Sequence, residues 1–107
     1  MESRNLTMLV DFYELSMANG YFTNGLKDTV AYFDMFFRKV PDNGGFAIMA
    51  GVQQLIEYLE SLVFNDNDID MLRRKGFDEN FLDYLRNFKF TCDVWAVPEG
   101  TPIFPHE

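Results

Sequence analysis

Histidine and cysteine are almost missing from this sequence of 107 residues, which contains one of each, His106 and Cys92. A lone cysteine cannot form an intramolecular disulfide, and the chain lacks the cysteine and histidine quartet of a structural zinc site. A catalytic triad is excluded on this chain alone, because its one histidine stands at the penultimate position. We therefore expect His106 to lie at a frayed chain end and Cys92 to be a small buried hydrophobic residue.

Basic residues are scarce too, since 9 lysines and arginines stand against 17 acidic residues and give a formal net charge of -8. A negative field disfavours nucleic acid and anionic membrane surfaces as partners, although local donors can still hold a phosphate. No apolar run approaches the roughly 20 residues that a membrane-spanning helix needs, and the first residues lack a signal-peptide pattern. The single cysteine suits a reducing compartment, so we predict a cytoplasmic protein with neither nucleic acid nor membrane as partner.

Familiar ligand-binding motifs are absent or incomplete. Asp66, Asp68 and Asp70 alternate as in a calcium-binding loop, but Met71 occupies the position where such a loop needs glycine. We interpret these acids as helix-capping residues. The glycine-rich stretch 41–45 predicts a turn and does not match a P-loop or a dinucleotide fingerprint. Residue patterns alone therefore predict no metal site and no particular reaction.

Aromatic residues, in contrast, are abundant: they make up 17% of the chain and include 12 phenylalanines. With 48% hydrophobic residues, the chain can build the core of one domain or of part of one. The surplus of rings indicates an interface or contacts with a missing part of a longer protein. We expect the isolated chain to expose apolar surface and to self-associate.

Residues 11–22 predict an early helix with two apolar stripes around which the rest of the chain is organised. We expect the first stripe to pack on the core and the second, which carries two tyrosines, to face outward. The first stripe consists of Phe12, Leu15 and Phe22, and the second of Tyr13, Met17 and Tyr21.

The predicted ends of this helix follow from capping residues. Asp11 followed by Glu14 favours an acidic capping box at its start, with Thr7 as the alternative N-cap. Gly25, which can adopt a left-handed conformation, predicts its end.

The remaining sequence predicts an α+β fold with an antiparallel or mixed sheet and about four helices. Strands are predicted at 29–39, 46–50 and 91–97, three further helices at 52–63, 69–75 and 79–88, and another extended piece at 101–104. Because the sequence stops soon after this last piece begins, we expect the chain to be part of a longer protein.

Five segments together resemble the N-terminal region of nicotinate phosphoribosyltransferases. They are DFYELSMA (11–18), FDMFFRK (33–39), GGFAI (44–48), FLDYL (81–85) and VPEGTPIFP (97–105). Five segments in the family's order and at suitable spacing form a specific signal, and the resemblance covers nearly all of the chain.

The resemblance implies that residues 1–107 are the N-terminal α/β domain of a larger phosphoribosyltransferase, a glycosyltransferase that continues into an irregular α/β barrel. Such an enzyme joins nicotinate to the phosphoribosyl group of phosphoribosyl pyrophosphate and releases pyrophosphate, in NAD salvage. It couples this step to ATP hydrolysis, as a ligase does, with Mg²⁺, and it acts as a homodimer. We expect neither ATP nor Mg²⁺ to bind this chain alone, which is expected to be inactive.

The resemblance also assigns residues. Tyr13 matches the tyrosine that stacks on the pyridine ring, and Arg38 matches a basic residue that reaches a phosphate of the ribosyl donor across the dimer. Asp11 is expected to cap the helix and to support the site without touching substrate. No catalytic and no metal-binding residue is expected on this chain, and Tyr13 is expected to be partly exposed.

Two alternatives stay open at this point. A relative that acts on nicotinamide or quinolinate would keep the stacking tyrosine. A non-catalytic module would instead use its surplus of aromatic residues to dimerise.

Overall fold

The computed structural model describes residues 4–107, which form two compact units. The first unit comprises residues 4–30 together with Tyr58–Thr91, and the second comprises Ala31–Glu57 and Cys92–Glu107. The helices are α1 (Phe12–Thr23), α2 (Val52–Glu60), α3 (Asp66–Arg74) and α4 (Glu79–Arg86), and the strands are β1 (Ala47–Ile48) and β2 (Pro102–Ile103). The predicted α+β class, with four helices and an antiparallel sheet, is confirmed.

Helix α1 ends in a Schellman motif, as the glycine that follows it predicts. The N–H of Leu26 donates to the Tyr21 carbonyl at 2.9 Å, and the N–H of Gly25 donates to the Phe22 carbonyl at 3.2 Å. Gly25 has φ 75°, which a residue without a Cβ adopts at little cost.

The predicted capping box at the start of α1 is wrong. The Asp11 side chain makes no cap hydrogen bond, and only its backbone carbonyl accepts from the Glu14 N–H, at 3.1 Å. Thr7, the alternative N-cap, is buried, and its Oγ1 accepts from the N–H of Val63 at 3.2 Å. The threonine therefore ties two distant stretches of the first unit together rather than starting a helix.

Helices α3 and α4 pack on each other, and both begin with side-chain caps. Asn65 and Asp68 form a reciprocal capping box with hydrogen bonds of 2.9 and 3.0 Å. Asp78 Oδ1 accepts from the N–H groups of Asn80 and Phe81 at 2.9 and 3.1 Å. Because each cap satisfies an otherwise unpaired helix N–H, it stabilises the fold by about 1 kcal/mol.

The core of the first unit lies along α3 and α4 and is covered by one face of α1. Its buried members are Phe64, Ile69, Leu72, Phe77, Phe81, Leu82 and Leu85. Leu15 and Phe22 of α1 pack against this cluster, while the half-exposed Phe12 contacts the Phe77 ring at a centroid distance of 5.8 Å. The inward stripe predicted for α1 is therefore confirmed at Leu15 and Phe22, whereas Phe12 is more exposed than predicted.

Charged side chains form ion pairs on the surface of α3 and α4. Arg73 at the end of α3 bonds Glu79 of α4 at 2.6 Å and Asp70 at 2.7 Å. The hydrogen bond and the charge of Glu79 raise the pKa of Arg73 above its ordinary value. Asp66 pairs with Arg86 at 3.3 Å. Since these pairs are solvent-exposed, they contribute little to stability.

The second unit contains the small antiparallel sheet. In its register Ala47 faces Ile103 and Ile48 faces Pro102. The pairing is extended by Met49, whose N–H donates to the Thr101 carbonyl at 2.8 Å. The strand predicted at 46–50 and the extended piece predicted at 101–104 are therefore confirmed in shorter form.

A long-range cap holds the start of α2. The Glu99 carboxylate accepts from the N–H of Gly51 at 3.1 and 3.2 Å and from the N–H of Gln53 at 3.1 Å. A carboxylate is stabilised at a helix N-terminus by the helix dipole and the unpaired N–H groups there. No local pattern indicated this contact, since its partners lie 46 to 48 residues apart in sequence.

The strands predicted at 29–39 and 91–97 are wrong for this structure. Neither segment contains a helix or a strand. Phe33 and Met35, which lie in the first of these segments, are 92% and 81% exposed. A strand must pair its backbone groups with a neighbouring strand, and no strand among residues 4–107 pairs with these segments, whose backbone makes single hydrogen bonds at Thr29 and Phe37 only.

Two predictions for single residues are also wrong. Cys92 is exposed, because the strand that was expected to bury it does not form. His106 is not frayed, since its N–H donates to the Phe37 carbonyl at 2.9 Å and its ring lies 5.3 Å from that of Phe36. Among the described helices, none is long and apolar enough to cross a membrane.

Candidate functional site

Tyr13 lies in the first turn of α1 on the face away from the core. Its side chain is 59% exposed, as predicted, and Met17 and Tyr21 on the same stripe are 48% and 51% exposed. Leu15, which lies between Tyr13 and Met17 in sequence but on the other stripe, packs on the core and fixes the helix. The helix therefore presents an aromatic ring, with its hydroxyl, on a firmly held backbone.

Asp11 lies directly before α1 and is exposed. Its side chain makes no cap hydrogen bond, so its carboxylate is not engaged by the helix start. Its predicted supporting role stays a prediction, because no described contact links it to Tyr13.

Arg38 lies in the second unit, in the segment that precedes the turn at Pro41–Asn43. It is exposed and makes no ion pair with any residue from 4 to 107. With Lys39, Asp34 and Phe36 it lines a shallow depression of about 560 Å³. Two adjacent cations beside an open depression can accept an anionic group such as phosphate.

A single hydrogen bond anchors the segment that carries Arg38. Within residues 30–40, the one backbone contact to another part of the described chain is the Phe37 carbonyl, which accepts from His106. His106 has φ 65°, an uncommon conformation for a residue with a side chain, and its ring packs on Phe36. The sequence analysis missed this anchor because it predicted a frayed end for His106, which stands next to the last residue of the sequence.

An apolar groove of about 410 Å³ lies in the first unit. Its lining includes Leu15, Phe22, Phe81 and Tyr84, with Lys27 among its few charged residues. Neither Tyr13 nor Asp11 lines it, so the predicted pyridine-stacking residue and the groove occupy different parts of the α1 surface.

The predicted site residues fall in different units, Tyr13 and Asp11 in the first and Arg38 in the second. Neither unit alone holds both the predicted stacking residue and the predicted phosphate-binding residue. The described part of the chain also contains no group of three or more His, Cys, Asp or Glu side chains that could hold a metal ion. Each unit therefore carries a part of the predicted set of site residues.

Comparison with known proteins gives a match over almost the whole chain. Residues 8–107 match the family model described as the nicotinate phosphoribosyltransferase (NAPRTase) N-terminal domain. Nicotinate phosphoribosyltransferase pncB2 of Mycobacterium tuberculosis is 42% identical over 101 residues, which cover 94% of this chain and 22% of the relative.

Relatives in other organisms also match. The nicotinate phosphoribosyltransferase of Bacillus subtilis is 36% identical over 104 residues, covering 96% of this chain and 21% of the relative. The nicotinate phosphoribosyltransferase of Homo sapiens is 33% identical over 102 residues, which cover 92% of this chain and 19% of the relative. The chain thus spans about a fifth of the length of the curated relatives it matches.

Proposed function

The chain belongs to the nicotinate phosphoribosyltransferase family, and on this premise we propose that it serves as the N-terminal domain of an enzyme that makes nicotinate mononucleotide. In this reaction the bond from the ribose C1 to pyrophosphate breaks and a bond from C1 to the pyridine nitrogen forms. The observation that carries the proposal is the family match over residues 8–107, together with relatives of that name in bacteria and in human. The product would serve NAD salvage.

Tyr13 is the residue of this chain that would bind nicotinate. Its exposed ring on a firmly packed helix can stack on a flat pyridine, which adds roughly 0.5–1.5 kcal/mol beyond the burial of area. Asp11, two residues earlier and free of cap hydrogen bonds, would support this end of α1 without touching substrate.

Arg38 would bind a phosphate of the ribosyl donor. The guanidinium is exposed and without an ion pair among residues 4–107, so binding a phosphate would not require it to leave an internal partner. Because Arg presents a planar fork of donors, it can form two charge-assisted hydrogen bonds to one phosphate. We propose that this contact is made across a homodimer, as the family resemblance implies.

ATP and Mg²⁺ complete the proposal. As the family resemblance implies, we propose that the full-length enzyme uses both groups and that neither binds to this chain alone. When bound, ATP supplies free energy by its hydrolysis. We further propose that the protein acts in the cytoplasm, which its single cysteine favours.

A substrate panel tests the proposed reaction. A full-length protein that carries this chain would be incubated with phosphoribosyl pyrophosphate and with nicotinate, nicotinamide or quinolinate, each with and without ATP. We expect nicotinate mononucleotide as the main product and a faster rate with ATP. If the main product came from nicotinamide or quinolinate instead, the result would support the alternative of an enzyme that acts on that compound.

A dimerising module is the second candidate, favoured by one observation. Tyr32, Phe33 and Trp95 are all more than 90% exposed. Such exposed aromatic rings are typical of a surface that binds another protein chain. A stable dimer that shows no nicotinate binding by calorimetry, in the full-length protein, would support this candidate over the enzyme.

A further inference from the structure

Two segments of the second unit expose an unusual amount of apolar surface. We call residues 31–36 the first ribbon and residues 92–97 the second ribbon. Every residue of both is exposed. Tyr32 and Phe33 are 96% and 92% exposed, and Trp95 is 94% exposed. Since burying apolar area contributes about 25 cal/mol per Å², rings of this size favour a covered state strongly.

The backbone of both ribbons is also unpaired. No residue of either ribbon donates or accepts a hydrogen bond to any residue between 4 and 107. Peptide N–H and C=O groups are nearly always paired once they are buried. Whatever covers the rings must therefore also provide backbone donors and acceptors, which is what a neighbouring strand does.

The sequence of the ribbons has the composition of strands. The first ribbon is rich in aromatic residues, the second contains two valines and a tryptophan, and both lie within the segments predicted as strands, 29–39 and 91–97. Tyr32 and Phe33 are adjacent, so in a strand their rings would point to opposite faces. Large apolar residues on both faces are typical of a strand inside a sheet that is covered on both sides.

We propose that the two ribbons are strands of a sheet that is completed by the remaining polypeptide of the longer protein. This identification of the partner rests on the proposed function. The match covers 22% of the Mycobacterium tuberculosis relative, so nearly four-fifths of that protein lies outside it and can supply both strands and covering layers.

A second copy of this chain fits the ribbons less well. Pairing with a copy satisfies one edge of a ribbon but leaves one face of its rings in water. Each copy also carries a formal net charge of -8, which opposes close association. The remaining polypeptide can cover both faces and both edges.

Pairing of the first ribbon has a consequence for the proposed site. Arg38 follows the ribbon by two residues, in a segment that one hydrogen bond from His106 anchors. A paired strand would fix the backbone up to this point. The strand partner would therefore position Arg38 for the donor phosphate.

Hydrogen–deuterium exchange tests the proposal without requiring activity. It would compare the 107-residue chain at low concentration with a hybrid, in which the chain replaces the matching 101 residues of the Mycobacterium tuberculosis relative. We expect the amides of both ribbons to exchange about tenfold or more slowly in the hybrid, because ladder hydrogen bonds protect them. The turn at Pro41–Asn43 should exchange fast in both, and α3 and α4 slowly in both, which shows that the first unit is folded.

Paired substitutions separate strand pairing from simple covering of rings. Phe33→Pro and Phe33→Thr both remove the ring, but only proline removes the N–H that a ladder needs. Tyr32→Pro and Tyr32→Thr test the opposite edge, since neighbouring residues donate to opposite sides of a strand. In the hybrid we expect each proline variant to lose ribbon protection at least about tenfold more than its threonine control.

Three results would overturn the proposal. Fast exchange of both ribbons in a folded hybrid would show that they are loops. Equal protection in the 107-residue chain at high concentration would show that a second copy suffices. Equal effects of proline and threonine would show that no ladder forms. Slow amide exchange in both ribbons of a hybrid that makes no nicotinate mononucleotide would support this proposal but contradict the proposed function.

Discussion

At the scale of single residues, the chain holds Tyr13 and Arg38 with very different firmness. Tyr13 stands on a helix whose neighbouring residues Leu15 and Phe22 pack on the core. Arg38 stands in a segment without helix or strand, anchored by one backbone hydrogen bond from His106. We therefore expect changes at Tyr13 to act on the ligand contact alone, and the function of Arg38 to depend also on what orders its backbone.

Replacing Tyr13 by alanine should weaken nicotinate binding in the full-length protein about threefold to tenfold, which corresponds to the lost stacking. Tyr13→Phe keeps the ring and should retain most of the affinity. Tyr21→Ala, an equally exposed tyrosine on the same stripe, serves as control and should leave nicotinate affinity unchanged. Calorimetric titration measures all three, and an unchanged affinity of the Tyr13→Ala variant would remove its assigned role.

Replacing Arg38 by alanine should raise the KM for phosphoribosyl pyrophosphate about tenfold or more, because a charge-assisted hydrogen bond contributes roughly 1.5–3 kcal/mol. The KM for nicotinate should change little. Arg38→Lys keeps the charge but loses the bidentate fork, so its KM for phosphoribosyl pyrophosphate should lie between those of the unchanged protein and the Arg38→Ala variant. Lys27→Ala in the other unit provides the charge-matched control. A lower melting temperature with no change in either KM would assign Arg38 a structural role only.

At the scale of elements, the two N-cap aspartates differ in a way that stability measurements can resolve. Asp78 accepts two N–H groups of α4, whereas the Asp11 side chain accepts none from α1. Asp78→Ala should lower the free energy of unfolding by about 1 kcal/mol, within a range of roughly 0.5–2. Asp11→Ala should cost clearly less. Urea unfolding followed by circular dichroism compares them, and equal losses would contradict the assigned caps.

The helices could be predicted from sequence because their signals are local. Apolar spacing, the capping residues before α3 and α4 and the left-handed Gly25 all lie within a few residues of the element that they define. The Glu99 cap of α2 could not be predicted, since its partners are 46 to 48 residues away.

The strands could not be predicted reliably, because their formation depends on contacts distant in sequence. Composition at 29–39 and 91–97 is that of strands, yet pairing depends on a partner that lies elsewhere in sequence. Residues 4–107 supply none, so the segments stay irregular. The exposure of Cys92 follows from the same missing partner. Tyr13 could be placed on an exposed helix face from its spacing, but the ligand that we propose for it comes only from the family resemblance.

At the scale of the whole molecule, the exposed rings predict self-association of the isolated chain. Sedimentation velocity should show a weighted mass that rises with concentration, and more so in high salt, because salt screens the repulsion between chains of net charge -8. This association covers rings without pairing amides. A variant with Tyr32, Phe33 and Trp95 changed to serine should stay monomeric, and a monomeric parent chain at all concentrations would contradict the prediction.

The chain matches the N-terminal domain of its family, and we propose that it contributes ligand contacts to a larger enzyme. The hybrid with the Mycobacterium tuberculosis relative tests this most directly, because the catalytic remainder then comes from a protein that carries the family name. The measurement is the rate of nicotinate mononucleotide formation from nicotinate, phosphoribosyl pyrophosphate and ATP. We predict an active hybrid whose activity is lost when the chain is omitted and is reduced by Tyr13→Ala. A folded hybrid that forms no product would contradict the account.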